Sequence, residues 1–389
     1  MIVLTHKIRL TPTNEQVTYF VNACGATRKV FNEALAMWDR LYKEGKKPNA
    51  NMLKKLFNKD KYVKFPWLKE VHRDCSSQPF ADLGKAFSNF FGKRAKYPKF
   101  KCKGKSKDSF YVAADKFKVE GKKVKLPKIG WVKMTEDLRF KGKQMSARVT
   151  RCGKHWFISV AVQMDGYVRC KNEHLVPMGI DLGIKCTATC TDGFTYNSPK
   201  PLRKLAKKLR KQERRLKNKQ KGSRNREKQK LKIATIYEHI SNIRKDFIHK
   251  MTTEVVRKSQ AIVLEDLAVL NMLKNHNLAK ALSDESFYEI RRQFEYKCKL
   301  YNVPLLISNR YFPSSKLCSR CGWKNTELTL KDRVFKCKQC GLEIDRDLNA
   351  AYNLVKQLPM AHGEVKPVDR LDPSLFKEDR DETGINMYN

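Results

Sequence analysis

Two C-x2-C pairs near the C-terminal end constrain the fold of this 389-residue chain more than any other feature. Cys318 and Cys321 form the first pair, and Cys337 and Cys340 form the second, with fifteen residues between the pairs. This spacing is typical of a zinc ribbon, in which two turns of thiolate ligands close a tetrahedral metal site. Because four cysteines leave no open coordination position, we predict that the zinc ion is structural.

Three acidic residues stand in positions that suit a metal site. Asp181 lies in an apolar segment that we predict to be one strand over residues 179–190, Glu265 ends the apolar run Ala261–Leu264, and Asp347 opens an alanine-rich helix directly after the ribbon. An Asp within a strand, a Glu at a strand end and an Asp at a helix start are the arrangement of the RNase H-like fold. Mg²⁺ prefers hard oxygen ligands, so three such carboxylates would hold two Mg²⁺ ions about 4 Å apart for phosphodiester hydrolysis.

Each acid has another interpretation when it is taken alone. Asp181-Leu-Gly also fits the phosphate loop of actin-like ATPases, and Glu265-Asp266 also fits an ordinary turn after a strand. The spacing does not decide whether Asp345 or Asp347 is the ligand. The three acids in this order, with a ribbon just before the third, favour a metal-dependent nuclease over an ATPase.

The charge of the chain predicts a polyanionic partner. Lys and Arg number 82 against 40 Asp and Glu, which gives a formal net charge of +42. Such a balance usually indicates nucleic acid. Residues 200–232 hold 17 Lys and Arg but only two Glu, so the alternative of a merely solvated helix face would leave strong self-repulsion. We predict nucleic-acid contacts for Arg203, Lys207, Arg210, Arg214, Arg224 and Arg226 in this stretch, and for Arg244 beyond it.

A second basic stretch, residues 92–107, carries aromatic residues between its lysines. Lys96, Tyr97 and Lys99 suit a surface that follows a nucleic-acid backbone and stacks on bases, although a charged linker is the alternative. Gln78, at the start of the preceding helix, is able to pair with an adenine edge. On that helix, predicted from about Ser77 to Phe91, a stripe at helical spacing predicts core packing for Phe80, Leu83, Phe87, Phe90 and Phe91.

The segment patterns predict an α/β chain with several domains. We assign residues 1–10 and 96–168 to a small β-barrel, 11–95 to a helical insertion, 169–316 and 342–356 to an RNase H-like nuclease domain, 317–341 to the ribbon and 357–389 to a disordered tail. A linker is expected over residues 171–177. The chain lacks an apolar run of about 20 residues and a signal-peptide pattern, and its other cysteines are unpaired in pattern. We therefore expect a cytoplasmic protein without a membrane segment.

Taken together, these motifs resemble the TnpB family, transposon-encoded RNA-guided DNA nucleases regarded as ancestors of type V CRISPR effectors. The resemblance runs over nearly the whole chain. Its most specific parts are Ile262-Val-Leu-Glu265-Asp-Leu, the four ribbon cysteines and Asp345-Arg-Asp347-Leu-Asn-Ala-Ala. Further matches are Ile8-Arg-Leu-Thr-Pro, Tyr97-Pro-Lys-Phe100, Gly179-Ile-Asp181-Leu-Gly183 and Arg244-Lys-Asp-Phe-Ile-His249.

The resemblance implies a RuvC-type RNase H-like domain with an inserted ribbon, a wedge-like barrel and a helical recognition insertion. It implies Asp181, Glu265 and Asp347 as the catalytic Mg²⁺ ligands, and it places Gln78 near a contact to a short flanking DNA motif. It also implies a guide RNA from the transposon end and a double-stranded DNA target. We expect a monomer. All three acids stand, so an active enzyme is predicted. The alternatives are an RNA-guided DNA-binding repressor or transposition regulator that does not cut, and a transposase that joins strands without RNA.

Overall fold

The computed structural model describes residues 2–164, 176–329 and 332–358, and these fall into two compact units divided near residue 165. Most of the expected linker, residues 171–175, and the expected tail from residue 359 onward lie outside the described residues. Val176 and Pro177, which the linker prediction included, belong to a strand. Within the described part of the chain, helices that could cross a membrane are absent.

The first unit is built on a seven-stranded sheet, and each neighbouring pair in it is antiparallel. The strands are β1 (Ile2–Thr11), β2 (Ser109–Ala113), β3 (Lys118–Glu120), β4 (Lys123–Leu126), β5 (Gly130–Met134), β6 (Lys143–Cys152) and β7 (His155–Met164). Their order is β2-β6-β7-β1-β5-β4-β3, which joins the N-terminal strand to the later hairpins as expected. Alternate residues of β7 are buried, so one face of the sheet is packed. Closure into a barrel stays a prediction.

Three helices lie between β1 and β2: α1 (Asn14–Lys43), α2 (Ala50–Lys64) and α3 (Asp74–Phe91). A capping box starts α1, because the Thr13 side chain accepts from the Gln16 N–H while the Gln16 side chain accepts from the Thr13 N–H. Helix α3 begins three residues before the predicted Ser77, and it buries Phe80, Leu83 and Phe87 as predicted. The predicted stripe is wrong at its end, because Phe91 is exposed.

The second unit contains a five-stranded mixed sheet. Its strands are β8 (Val176–Asp181), β9 (Ala188–Cys190), β10 (Thr195–Tyr196), β11 (Ser259–Leu264) and β12 (Leu305–Ile307) in the order β10-β9-β8-β11-β12. Strands β8, β11 and β12 are parallel, whereas β9 and β10 run antiparallel as a hairpin at one edge. The single strand predicted over residues 179–190 is wrong. The chain reverses after Asp181 and returns as β9, so Asp181 ends a strand and does not lie in its interior.

The helices of this unit are α4 (Pro201–Lys217), α5 (Arg224–Lys258), α6 (Val269–Met272), α7 (His276–Glu285), α8 (Phe287–Tyr301) and α9 (Arg346–Val355), and the ribbon adds β13 (Val334–Lys336) and β14 (Glu343–Asp345). Helices α4 and α5 pack together through Leu209, Ile236 and Ile240, and Gly222 lies in the break between them. Helix α5 leads into β11, and α8 connects β11 to β12. Such helical crossovers are what parallel neighbouring strands require. The mixed α/β fold class is confirmed.

Candidate active site and zinc ribbon

The parallel pairing of β8 and β11 brings two of the predicted acids to the same edge of the sheet. Ile180 pairs with Leu264, so the next residues, Asp181 and Glu265, stand level with each other at the carboxyl ends of adjacent strands. Residues in register on parallel strands point to the same face. Both carboxylates therefore occupy one edge and one side of the sheet.

Helix α9 brings the third acid to this edge, because it packs on β8. The contact depends on Gly179, where a Cβ atom would lie 2.1 Å from the backbone oxygen of Ala351. Only glycine permits so close an approach of helix to strand. Asp347 lies in the first turn of α9, where the helix dipole favours negative charge. Helix packing thus determines the position of Asp347 relative to Asp181.

The electrostatics of this edge show that the three acids share one environment. Burial raises the pKa of Asp181 well above its usual value, and the charges of Glu265 and Asp347 raise it further. Burial also raises the pKa of Glu265. Among the described residues neither Asp181 nor Glu265 has an ion-pair partner, whereas Asp347 accepts from Arg346, whose Nη2 lies 2.9 Å from Oδ1. The edge therefore holds concentrated negative charge that the protein only partly neutralises.

The acids next to these three are engaged elsewhere. Asp345 is the N-cap of α9 and accepts hydrogen bonds from the backbone N–H groups of Asp347 and Leu348, at 2.9 and 3.0 Å. Asp266 pairs with Arg291 at 2.5 Å and with Arg310 at 2.7 Å. Burial, which would raise the pKa of Asp266, is outweighed by these hydrogen bonds, and the pKa is lowered.

The carboxylates have the chemistry of a site for a hard cation. Carboxylate oxygens are the ligands that Mg²⁺ prefers, so Asp181, Glu265 and Asp347 offer donors that fit this ion. In the described part of the chain, the four ribbon cysteines form a set of metal-ligating side chains whose ligand atoms all lie within 4.8 Å of one another.

The predicted zinc ribbon has the geometry of a tetrahedral thiolate site. The Sγ atoms of Cys318 and Cys340 lie 3.6 Å apart, and those of Cys321 and Cys337 lie 3.5 Å apart. Zinc–sulfur bonds of about 2.3 Å require edges of roughly this length. Backbone N–H groups point at two of the sulfurs, from Arg320 to Cys318 and from Cys340 to Cys337, both at 3.4 Å. The four-cysteine cluster is compatible with structural zinc, as predicted.

Two buried asparagines attach the base of the ribbon to α9. Asn349 donates to the Leu317 carbonyl at 2.7 Å and accepts from the Ser319 N–H at 2.9 Å. Asn353, one turn later, donates to the carbonyls of Ser314 and Leu317 at 2.8 and 2.7 Å. These bonds satisfy backbone groups beside the first cysteine pair. The ribbon therefore helps to hold the helix that carries Asp347.

Most of the residues predicted to contact nucleic acid are solvent-exposed. On the first unit, Lys96, Tyr97 and Lys99 are exposed. On the second unit, the exposed members of the set are Arg203, Lys207, Arg210, Arg214 and Arg224. Helix α4 thus presents a row of cations to solvent while its leucines pack on α5.

Four members of the predicted set have protein partners. Arg226 donates to the carbonyls of Leu216 and Lys219 at the end of α4, at 2.8 and 2.6 Å. Arg244 lies 2.7 Å from the buried carboxylate of Asp284, which also caps the start of α4. Gln78 donates to Asp82, and the Tyr97 hydroxyl donates to Asp39. For Arg226 and Arg244 these contacts favour a structural role.

Sequence patterns did not identify the arginines that hold Asp266, or the packing role of Gly179. Arg291 lies on α8 and Arg310 follows β12, in segments that carried no prediction. Neither residue belongs to a short motif with Asp266, so only the fold reveals their pairing. Gly179 did belong to a predicted motif, but the motif pointed to Asp181 and did not indicate that a helix packs against Gly179.

Comparison with known proteins gives the class of the chain. The family model described as "Probable transposase" (OrfB_IS605) matches residues 157–276, and its "Helix-turn-helix domain" companion matches residues 1–47. The model described as "Cas12f1-like, TNB domain" matches residues 287–354, which include the ribbon and Asp347. The three matched regions thus include β1 and α1, the acids Asp181 and Glu265, and the ribbon together with Asp347.

Two relatives extend the similarity along the chain. A Streptomyces pristinaespiralis protein named "Putative RNA-guided DNA endonuclease" is 34% identical over 357 residues, covering 90% of this chain and 88% of the relative. "Putative RNA-guided DNA endonuclease InsQ" of Escherichia coli K12 is 32% identical over 368 residues, covering 90% of both. This chain belongs to the TnpB (OrfB_IS605) family. A Cas12f1–sgRNA–target DNA complex aligns over 92% of this chain at 17% identity and a TM-score of 0.36, too low for a conclusion.

Proposed function

We propose that this protein is an RNA-guided DNA endonuclease that cuts target DNA beside a short flanking motif. Two relatives that match nine-tenths of the chain carry the words "RNA-guided DNA endonuclease" in their names. The observation that carries the proposal is the meeting of Asp181, Glu265 and Asp347 at one sheet edge in this family context. In this proposal the second unit is a RuvC-type RNase H-like domain with an inserted ribbon, and the first is a wedge-like barrel with a helical recognition insertion.

The three carboxylates would act as ligands for two Mg²⁺ ions. When bound, the ions would supply an activated water and would neutralise charge on the leaving 3′ oxygen during an in-line displacement. The protein's part is to hold its oxygen ligands in place. Arg346 orients Asp347, the cap at Asp345 fixes the start of α9, and the pairing of β8 with β11 fixes the other two acids.

The exposed cations would hold the nucleic acids. In an RNA-guided nuclease, base pairing between guide and target supplies sequence specificity, while the protein grips the heteroduplex by its backbone. The exposed face of α4, with the net charge of +42, suits a guide RNA transcribed from the transposon end and a double-stranded DNA target. Gln78 is proposed to lie near the flanking motif, and the working unit is proposed to be a monomer.

A plasmid cleavage assay tests the proposal. The chain is co-expressed with its native downstream DNA, and a guide-matched target carries a randomised flank. Asp181→Ala is expected to lower cleavage by about 10³-fold or more, since lost metal ligation removes several kcal/mol of transition-state stabilisation. RNA and DNA binding should stay near wild type.

Asp192→Ala is the matched control, because Asp192 lies in the same unit on the β9–β10 turn and pairs with Lys258. This variant should cut like wild type. If wild type does not cut but still protects the target from digestion, the protein is a guided binder and the nuclease proposal fails. If Asp181→Ala cuts normally, the assignment of the site fails.

A further inference from the structure

An aromatic stack in the first unit runs from the core to the surface. Trp38 of α1 and Phe87 of α3 are both buried, and their rings stack at 3.8 Å between centroids and an angle of 10°. Phe91, one turn further along α3, continues the stack at 6.0 Å and 27° from Phe87. The three rings form a column whose last member reaches solvent.

The outer end of this column is open. Phe87 is 2% exposed, whereas Phe91 is 65% exposed, although both stand on one face of the same helix. Helix α3 ends at Phe91, so no further turn of helix covers the ring. The exposed ring would bury apolar area if a partner covered it. Its position on a rigid buried stack suits a flat partner.

Positive charge follows the end of α3 in sequence. Lys93, Arg94 and Lys96 come directly after Phe91 and are exposed, and in the described part of the chain none of the three forms an ion pair. The guanidinium of Arg94 lies against Gly92, with Nε 3.3 Å from where a Cβ atom would stand. An exposed aromatic ring followed by exposed cations has the chemistry that takes a nucleobase attached to phosphates.

Tyr97 packs beside the stack. Its ring meets Phe87 and Phe90 edge-on, at 5.4 and 5.2 Å, and its hydroxyl donates to Asp39 at 2.5 Å. These contacts fix the Tyr97 ring and leave Asp39 engaged. Of the aromatic residues around this loop, Phe91 is the one whose ring extends the buried stack to the surface.

We propose that Phe91 is a stacking platform for one unpaired base of a nucleic-acid strand held by the cations that follow α3. The inference deepens the proposed function and rests on its nucleic-acid binding. The strand is either the guide RNA or the DNA opened beside it, since both offer the same base and phosphate chemistry.

The test uses the full-length protein, freed of nucleic acid, and single strands of about 12 nucleotides that carry one 2-aminopurine. One arm uses RNA and the other DNA, because 2-aminopurine fluorescence falls when the base stacks. Phe91→Ala should weaken binding by about 5- to 150-fold in at least one arm and should abolish the quenching. Phe91→Trp should restore both, and the slope of affinity against salt should not change.

Tyr288→Ala is the control, since Tyr288 on α8 is 72% exposed but belongs to no ring stack among the described residues. Equal affinity and quenching for Phe91→Ala and wild type in both arms would overturn the proposal. Full recovery in Phe91→Leu would also overturn it, because leucine restores packing on Phe87 without an aromatic face. If wild type fails to cut DNA but Phe91-dependent stacking persists, the platform stands and the nuclease proposal alone falls.

Discussion

Gly179→Ala is expected to impair catalysis without unfolding the protein. The new Cβ would lie 2.1 Å from the Ala351 carbonyl oxygen, and real Cβ contacts are essentially never shorter than 3.0 Å. Helix α9 would have to move by about 0.9 Å at the least. Overpacking of this kind costs about 1–3 kcal/mol, which a domain with 5–15 kcal/mol of stability survives. Because α9 carries Asp347, the movement separates one carboxylate from the other two.

A displacement near 1 Å in a catalytic group costs about 10²-fold in rate. Single-turnover DNA cleavage should therefore fall by that factor in Gly179→Ala, while RNA binding is retained. The matched control is Gly25→Ala in α1, where the nearest atom to a new Cβ is Arg28 Nη2 at 3.9 Å. That variant should gain about 0.5–1 kcal/mol of stability and cut normally. Wild-type cleavage by Gly179→Ala would refute the dependence of the site on this contact.

Three further predictions concern the ribbon and two arginines. Removing zinc with a chelator should lower the melting temperature by roughly 5–10 °C, because Asn349 and Asn353 then lose ordered partners. Adding zinc should restore the melting temperature. An unchanged melting curve would contradict a structural metal. Arg244→Ala should destabilise the fold by about 1–3 kcal/mol with an unchanged salt slope of RNA binding, since buried Asp284 loses its partner. Arg210→Ala should instead reduce the salt slope of RNA binding by about one without a change in melting temperature. A lower melting temperature in Arg210→Ala and a reduced salt slope in Arg244→Ala would contradict the structural role of Arg244 and the binding role of Arg210.

Features that depend on residues close in sequence were predictable. The ribbon followed from cysteine spacing, because each pair of ligands lies within one turn and both pairs fold around one ion. The start of α1 depends on Thr13 and Gln16, whose reciprocal hydrogen bonds span only three residues. The hairpin turns at Gly121 and Gly153 are likewise local, because each lies between alternating strands and both glycines have positive φ.

Features that depend on tertiary packing were not predictable. The apolar run from Gly179 to Cys190 matches one long strand, yet the chain reverses between Asp181 and Ala188 so that both segments lie in the sheet. Phe91 fits the helical stripe of α3, but the helix ends there and the side chain is 65% exposed. Periodicity reports which residues share a face, and it does not report how far the neighbouring layer extends.

The choice among neighbouring acids is one that the sequence leaves open and the structure informs. Glu265 and Asp266 are adjacent and Asp345 and Asp347 are two apart, so spacing alone cannot separate ligand from neighbour. In the fold, Asp266 is neutralised by two arginines from distant segments, and the carboxylate of Asp345 is committed to the first backbone N–H groups of α9. The neighbours are satisfied by the protein itself. Asp347 also has a cation, because Arg346 lies 2.9 Å from its carboxylate, whereas Asp181 and Glu265 have no ion-pair partner among the described residues. The negative charge left at this edge supports the proposal that Asp181, Glu265 and Asp347 are the ligands of cations.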